Sequence, residues 1–189
     1  MQLNLRGKEL KNYKNSLTLS QFQRDLVIGS VLGDGNLRFT NKNREANFIV
    51  EHSLKQEEYV EWKYQHLKEF VLTPPKIVKR VYHKDRSKIT IGYRFLTISH
   101  PVFTEFSKIF YKNGYKEISP ATVVLISSPL ILACWIMDDG NRNHDALFLN
   151  TQQFSLSEQG LLKEWLKKRF GLQISVNKHH HGMGNNSIA

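Results

Sequence analysis

Cysteine is nearly absent from this chain: Cys134 stands alone among 189 residues. A single thiol forms neither an internal disulfide nor a thiolate metal cluster, which fits a reducing compartment. Long apolar runs are missing too. The nearest candidate, Thr122 to Met137, is broken by Ser127-Ser128-Pro129 and runs into two aspartates, short of the ~18 uninterrupted apolar residues a membrane span needs. No apolar core of a secretory signal stands at the N-terminus. Acidic residues are scarce, with 17 Asp and Glu against 27 Lys and Arg, giving a formal net charge of +10 and a pI near 9.7. That excess points to a polyanionic partner. A membrane surface is not the expected one, because no single basic amphipathic helix concentrates the charge. Before Asp25 only Glu9 is acidic, a bias compatible with an organelle-targeting tail.

What is present is ample apolar material, 40% of residues with 11% aromatic, enough for one generous domain or two small ones sharing a core. Residues 1–17 are basic and weakly patterned and read as an arm. Ser20-Gln21-Phe22-Gln23 is a capping box opening a helix to about Gly33. Asn36 to His52 reads as two strands turning at Asn41-Lys42-Asn43. A second capping box, Ser53 to Gln56, precedes a helix carrying Tyr59, Trp62, Leu67 and Phe70. A hairpin over Ile77 to Ile98 turns near Lys84-Asp85-Arg86. A helix from Pro101 to about Lys112 packs through Val102, Phe103, Phe106, Ile109 and Phe110. The pattern then restarts: Ser128 and Pro129 open a helix, a hairpin returns through Ala146 to Leu149, and a third capping box at Ser155 opens a helix with Leu161, Leu162, Trp165, Leu166 and Phe170. Gly171 stops it, and one strand follows over Leu172 to Lys178.

Two segments read as one motif written twice: Val27 to Gly35 and Leu132 to Gly140, with Asp34 and Asp139 separated by 105 positions. Each is an apolar helical run ending in a carboxylate and a glycine. A helix C-terminus carries partial negative charge, so an Asp there calls for a cation, and the following glycine suits a left-handed helix stop. For one Asp, helix-end polarity is an adequate account. Two such helices packed side by side bring both carboxylates to one end, where they repel unless a divalent cation joins them. Gly29 and Cys134 occupy matching positions, as do Ile28 and Ala133; small residues there permit close helix packing, and Cys134 is not a nucleophile. The glycines around Asp34 lack the Gly-Lys-Ser/Thr of a phosphate-binding loop.

The paired motif helices, the α-β-β-α-β-β-α layout and the strings Trp135-Ile136-Met137-Asp138-Asp139-Gly140 and Leu149-Asn150-Thr151-Gln152 resemble single-chain LAGLIDADG homing endonucleases over about residues 20–178. The resemblance implies an α+β fold: two pseudo-symmetric repeats, 18–120 and 121–189, packed through the motif helices, with antiparallel sheets forming a saddle on the DNA major groove. It implies Asp34 and Asp139 as catalytic metal ligands, the backbone carbonyls of Gly33 and Asp138 as further ligands, and Mg²⁺ as cofactor with Mn²⁺ as substitute. Lys116, 23 positions before Asp139, matches a lysine that organises the attacking water or the phosphate; a solvated lysine after a helix end is the equal alternative. The second repeat is expected to lack its last strand and closing helix, which would leave apolar surface exposed and favour association over the monomer otherwise expected.

The hairpin Lys76 to Arg94 carries Lys76, Lys79, Arg80, Lys84, Arg86, Lys88 and Arg94 against only Asp85. Strand alternation lets Ile77, Val81, Ile89, Ile91 and Phe95 bury one face while the bases face outward to phosphates. Arg38, Lys42 and Arg44 serve likewise in the first hairpin, and Arg142, Asn150, Gln152 and Lys178 in the second half; Arg, Asn and Gln can also read base edges. His179-His180-His181 reads as a weakly basic loop rather than a zinc site, and the helical aromatics as core. The expected activity is site-specific hydrolysis of both strands of a long asymmetric duplex. A non-catalytic intron RNA maturase and an inactive remnant are the alternatives. The resemblance implies a chloroplast or mitochondrion as location, or the cytoplasm of a bacterium.

Overall fold

Ser20 starts helix α2 (Gln21–Leu32) as its side chain implies: Ser20 Oγ accepts from the Gln23 amide, and the Gln23 side chain accepts from the Ser20 amide at 2.8 Å. The computed structural model describes residues 5–39, 45–81, 89–178 and 186–188. The chain divides into two compact units, Met1–Val27 with Asp34–Glu105, and Ile28–Gly33 with Phe106–Ala189. Helix α2 therefore gives its first part to one unit and its last turn to the other.

In the first unit, residues 7–16, read from sequence as part of an arm, form helix α1 (Gly7–Ser16). Tertiary bonds hold it: the Tyr13 hydroxyl donates to the Glu69 carbonyl, Lys14 pairs with Glu45, and the His100 ring contacts the Lys14 carbonyl. Strands β1 (Asn36–Phe39), β2 (Ala46–Ser53), β3 (Lys76–Val81) and β4 (Ile89–Leu96) form an antiparallel sheet in the order β1-β2-β4-β3. The hairpin tips at 40–44 and 82–88 lie outside the described residues. Leu37, Phe48, Val50 and Phe95 share one face by register and are buried. Helix α3 (Glu57–Leu67) packs against this sheet. Its expected capping box does not form. Ser53 accepts from Lys55, closing a single 3₁₀ turn over Leu54–Gln56, and α3 starts one turn later without a side-chain cap. Of the four residues expected on its face, Leu67 and Phe70 are buried, whereas Trp62 is 36% exposed and stacks on Tyr59; Val60 and Lys63 complete the buried set.

The β3–β4 hairpin overturns one expectation. Ile77, Val81, Ile89 and Ile91 do share the face of Phe95, yet only Phe95 is buried, and Ile77, Val81 and Ile89 are 55%, 58% and 60% exposed. Alternation sets which way a side chain points; burial needs a partner layer, and none lies over this end of the hairpin among the described residues.

Helix α4 (Pro101–Phe110) spans the unit boundary and buries Phe103, Phe106 and Phe110. The second unit continues with a small hairpin, β5 (Tyr111–Lys112) and β6 (Tyr115–Lys116), and a one-turn helix α5 (Pro120–Val123) capped by Ser119. Neither was foreseen. Helix α6 (Pro129–Asp139) has Ser128 as N-cap and Pro129 in its first turn, as expected. Strands β7 (Gly140–Asn143) and β8 (Ala146–Leu149), helix α7 (Leu156–Phe170) and strand β9 (Val176–Lys178) follow. Ser155 closes a full capping box with Glu158, and Gly171 ends α7 in the left-handed conformation, φ +69°. The last strand, expected to be missing, is present. Strand β10 (Asn186–Ile188) pairs with both β8 and β9, giving the order β7-β8-β10-β9 and repeating the first sheet's topology. The histidine run 179–181 lies outside the described residues. No described helix is long and apolar enough to cross a membrane.

Candidate functional site

Within the second unit the last turn of α2 packs on α6. A Cβ built on Gly29 would lie 2.5 Å from the Ile131 carbonyl oxygen and 2.7 Å from the Cys134 Cβ, and one on Gly33 would strike the Asp138 side chain. The Gly29 and Cys134 positions are thus packing positions, and Cys134 is buried. The glycine after the second motif aspartate is not the left-handed stop expected. Gly140 has φ −83° and ψ 145° because the chain passes straight into β7, and its missing side chain leaves room for the Ile136 carbonyl.

The same packing gathers three candidate residues. The Lys116 ammonium donates to the Gly33 carbonyl at 2.5 Å, beside Asp138, whose side chain abuts Gly33. Lys116 stands on β6 rather than after a helix end. Asp139, at the end of α6, has its carbonyl held by the Asn150 amide at 3.1 Å, and Gln152 donates to the Asn150 side chain. Arg142 lies on the β7 face shared, through the register, with buried Leu149, and bonds to the His144 carbonyl. Lys178 closes β9.

In the first unit, Asp34 follows α2 with its side chain 51% exposed. It opens onto a cleft of about 460 Å³ lined also by Asn36, Arg38, Ile49, Glu51, Arg80 and Arg94. The register explains the grouping: Asn36, Arg38, Ile49, Glu51, Arg94, Lys76 and Arg80 all occupy one face of the sheet. Lys79 stands on the opposite face with Ile77 and Ile91. Lys42, Arg44, Lys84, Arg86 and Lys88 lie outside the described residues. Glu51 was not foreseen as part of this surface. Its carboxylate accepts from Arg80 at 2.5 Å, which raises the Arg80 pKa further, and lies 3.7 Å from Arg94.

Two further residues escaped the sequence reading. His52 is buried with Nδ1 3.5 Å from the Asp34 carboxylate. Its Nε2 lies 3.3 Å from the Lys63 Nζ, and Lys63, fully buried, also lies 4.3 Å from the centre of the Tyr59 ring. Burial, then the charge of Lys63, lowers the His52 pKa to about 4 despite the opposing pull of Asp34, so its imidazole is neutral near pH 7. The available signal was a lysine at the centre of the α3 apolar spacing Val60-Lys63-Leu67.

Among the described residues no group of three or more His, Cys, Asp or Glu forms a metal-holding cluster. The candidate donors are carboxylates and main-chain carbonyls, hard oxygens suited to Mg²⁺. The Gly33 carbonyl, expected as a further ligand, is taken by the Lys116 ammonium, so the carboxylates of Asp34 and Asp139 remain as the candidate donors to a cation.

Residues 24–186 match the LAGLIDADG DNA endonuclease family. The chain belongs to that family. A probable intron-encoded endonuclease 1 of Wickerhamomyces canadensis is 30% identical over 178 residues, covering 90% of this chain and 75% of that protein. The cytochrome b mRNA maturase bI2 of Debaryomyces hansenii is 27% identical over 157 residues, covering 82% of this chain and 59% of that protein. Among solved structures, the homing endonuclease I-WcaI bound to its DNA recognition sequence aligns with a TM-score of 0.85 at 28% identity, over 98% of this chain and 83% of that one. Variants of the homing endonuclease I-DmoI align at a TM-score of 0.51 and 12% identity, a likeness of LAGLIDADG fold alone.

Proposed function

We propose that this chain is a site-specific, Mg²⁺-dependent DNA endonuclease of the intron-homing kind, cutting both strands of a long asymmetric site to leave 5′-phosphate and 3′-hydroxyl ends. The observation that carries the reading is the aspartate closing each family-motif helix, with Asp34 beside a sheet face bearing Arg38, Lys76, Arg80 and Arg94. Asp34 and Asp139 would each supply a carboxylate to a divalent cation, which when bound would supply water activation and charge neutralisation at the phosphate. Lys116 holds the Gly33 carbonyl and thereby the turn that delivers Asp34. The basic sheet face neutralises phosphates, and its Asn and Arg side chains reach base edges in the major groove.

The test incubates the protein and Mg²⁺ with DNA spanning an intronless insertion site. Asp34→Asn and Asp139→Asn are each expected to cut cleavage at least about a hundredfold while binding in EDTA changes little. Equal loss of binding would make the carboxylates structural, and undiminished cutting would remove them from the reaction. A second reading, intron RNA maturation, is favoured by the similarity to the cytochrome b mRNA maturase. Under it, the protein promotes splicing of its host intron and both Asn variants retain that activity.

A further inference from the structure

The environment of Asp34 extends inward to a buried pair that the proposed chemistry does not use. An ammonium has donors only, so the imidazole nitrogen facing Lys63 must accept. That is Nε2, at 3.3 Å. In the neutral ring the proton then resides on Nδ1, the atom 3.5 Å from the Asp34 carboxylate. The Tyr59 ring flanks both groups: its centre is 5.3 Å from that of His52 and 4.3 Å from Lys63 Nζ. Burying a lysine and a histidine costs free energy that two apolar residues would avoid. The second unit does otherwise at the corresponding place. Two positions beyond buried Leu149, where His52 stands two beyond buried Val50, Thr151 is buried, and its carbonyl accepts from Gln159 of α7 at 3.0 Å. A side chain that keeps its ligating partner in one orientation is how outer residues tune a metal site.

We propose that Lys63 and His52 form a buried positioning relay: Lys63 fixes the Nδ1–H tautomer of His52, and His52 holds the Asp34 carboxylate in its cation-binding orientation. The inference rests on the reading of Asp34 as a cation ligand. His52 and Lys63 touch neither substrate nor metal in this scheme; they act through Asp34.

Nitrogen-15 NMR of the His52 ring in the intact, metal-free protein tests the first step. The expected signature is a protonated Nδ1 and a bare Nε2, with that preference lost in Lys63→Met. Titration with Mn²⁺ alone tests the second. His52→Asn, whose amide keeps a donor near the Nδ1 position, is expected to bind within about threefold of wild type, whereas His52→Leu weakens binding about tenfold or more, the scale of outer-shell losses. An Nε2–H tautomer in the wild type, or Mn²⁺ binding by His52→Leu as tight as wild type, overturns the relay. Should His52→Leu not fold, the tautomer and the Asn variant decide. Asp34→Asn separates the two readings. If it keeps Mn²⁺ binding, the assignment of Asp34 fails; if it loses binding while His52→Leu retains it, only the relay fails.

Discussion

A methyl group on Gly29 would lie 2.5 Å from the Ile131 carbonyl oxygen and 2.7 Å from the Cβ of Cys134. The first contact is with backbone and cannot be relieved by a rotamer change, so α2 and α6 would have to part. Overpacking of this kind costs about 1–3 kcal/mol. Gly160 provides the contrast: it sits inside α7 with nothing within 4 Å of a built Cβ, and alanine is a better helix former by roughly 0.5–1 kcal/mol. Gly29→Ala is therefore expected to lower the urea midpoint and Gly160→Ala to raise it, with unchanged m-values. A Gly29→Ala variant as stable as wild type would mean that the helices tolerate wider spacing than the close contact implies. Gly33 and Gly140 follow the same logic, each making room for a neighbour rather than a left-handed turn.

Capping separates the helices whose starts could be read from sequence from those that could not. Ser155 Oγ accepts from the Glu158 amide, and the Glu158 carboxylate accepts from the Ser155 amide at 2.7 Å and from the Ile118 amide at 2.8 Å. Burial pushes the Glu158 pKa up, but a hydrogen bond from the Ser155 hydroxyl, with those from the Ile118 and Ser155 amides, brings it below the ordinary value. Ser155→Ala should cost about 1 kcal/mol, within the range for lost caps. Thermal unfolding near pH 7 checks this, and a change below a few tenths would show that the tie to Ile118 carries the helix start. The Ser20 and Ser155 boxes were legible because their residues interact within one turn. Ser53 has the same letters, but there the chain tightens into a 3₁₀ turn first. Strand β10 is three residues with no alternation to detect, and only pairing with β8 and β9 makes it a strand. The candidate aspartates were visible because the motif recurs. Glu51, His52 and Lys63 were not, because their roles come from register and burial rather than from spacing along the chain.

A net charge of +10 attracts any polyanion, so charge alone does not distinguish a DNA-binding face from a solvated one. Placement provides a test. Arg38, Lys76, Arg80 and Arg94 share one sheet face, whereas Lys79 projects from the other, so phosphates held on the first face would lie beyond its reach. Each phosphate neutralised releases condensed counterions, so log affinity falls by about 0.9 per contact for each decade of salt. Replacing Arg38 or Lys76 by alanine should therefore reduce the slope by about 1 and weaken binding to all duplexes alike. Lys79→Ala should leave the slope unchanged. Arg80 and Arg94 are a different case, because Glu51 already engages both. That carboxylate orients the arginines but offsets part of their charge, so Glu51→Gln is expected to raise affinity for non-specific DNA and steepen the salt dependence. Fluorescence anisotropy with a labelled duplex at graded KCl measures all four variants. A slope lost equally from Lys79→Ala and Lys76→Ala would mean that the charge acts as a diffuse field, with no preferred face of the sheet.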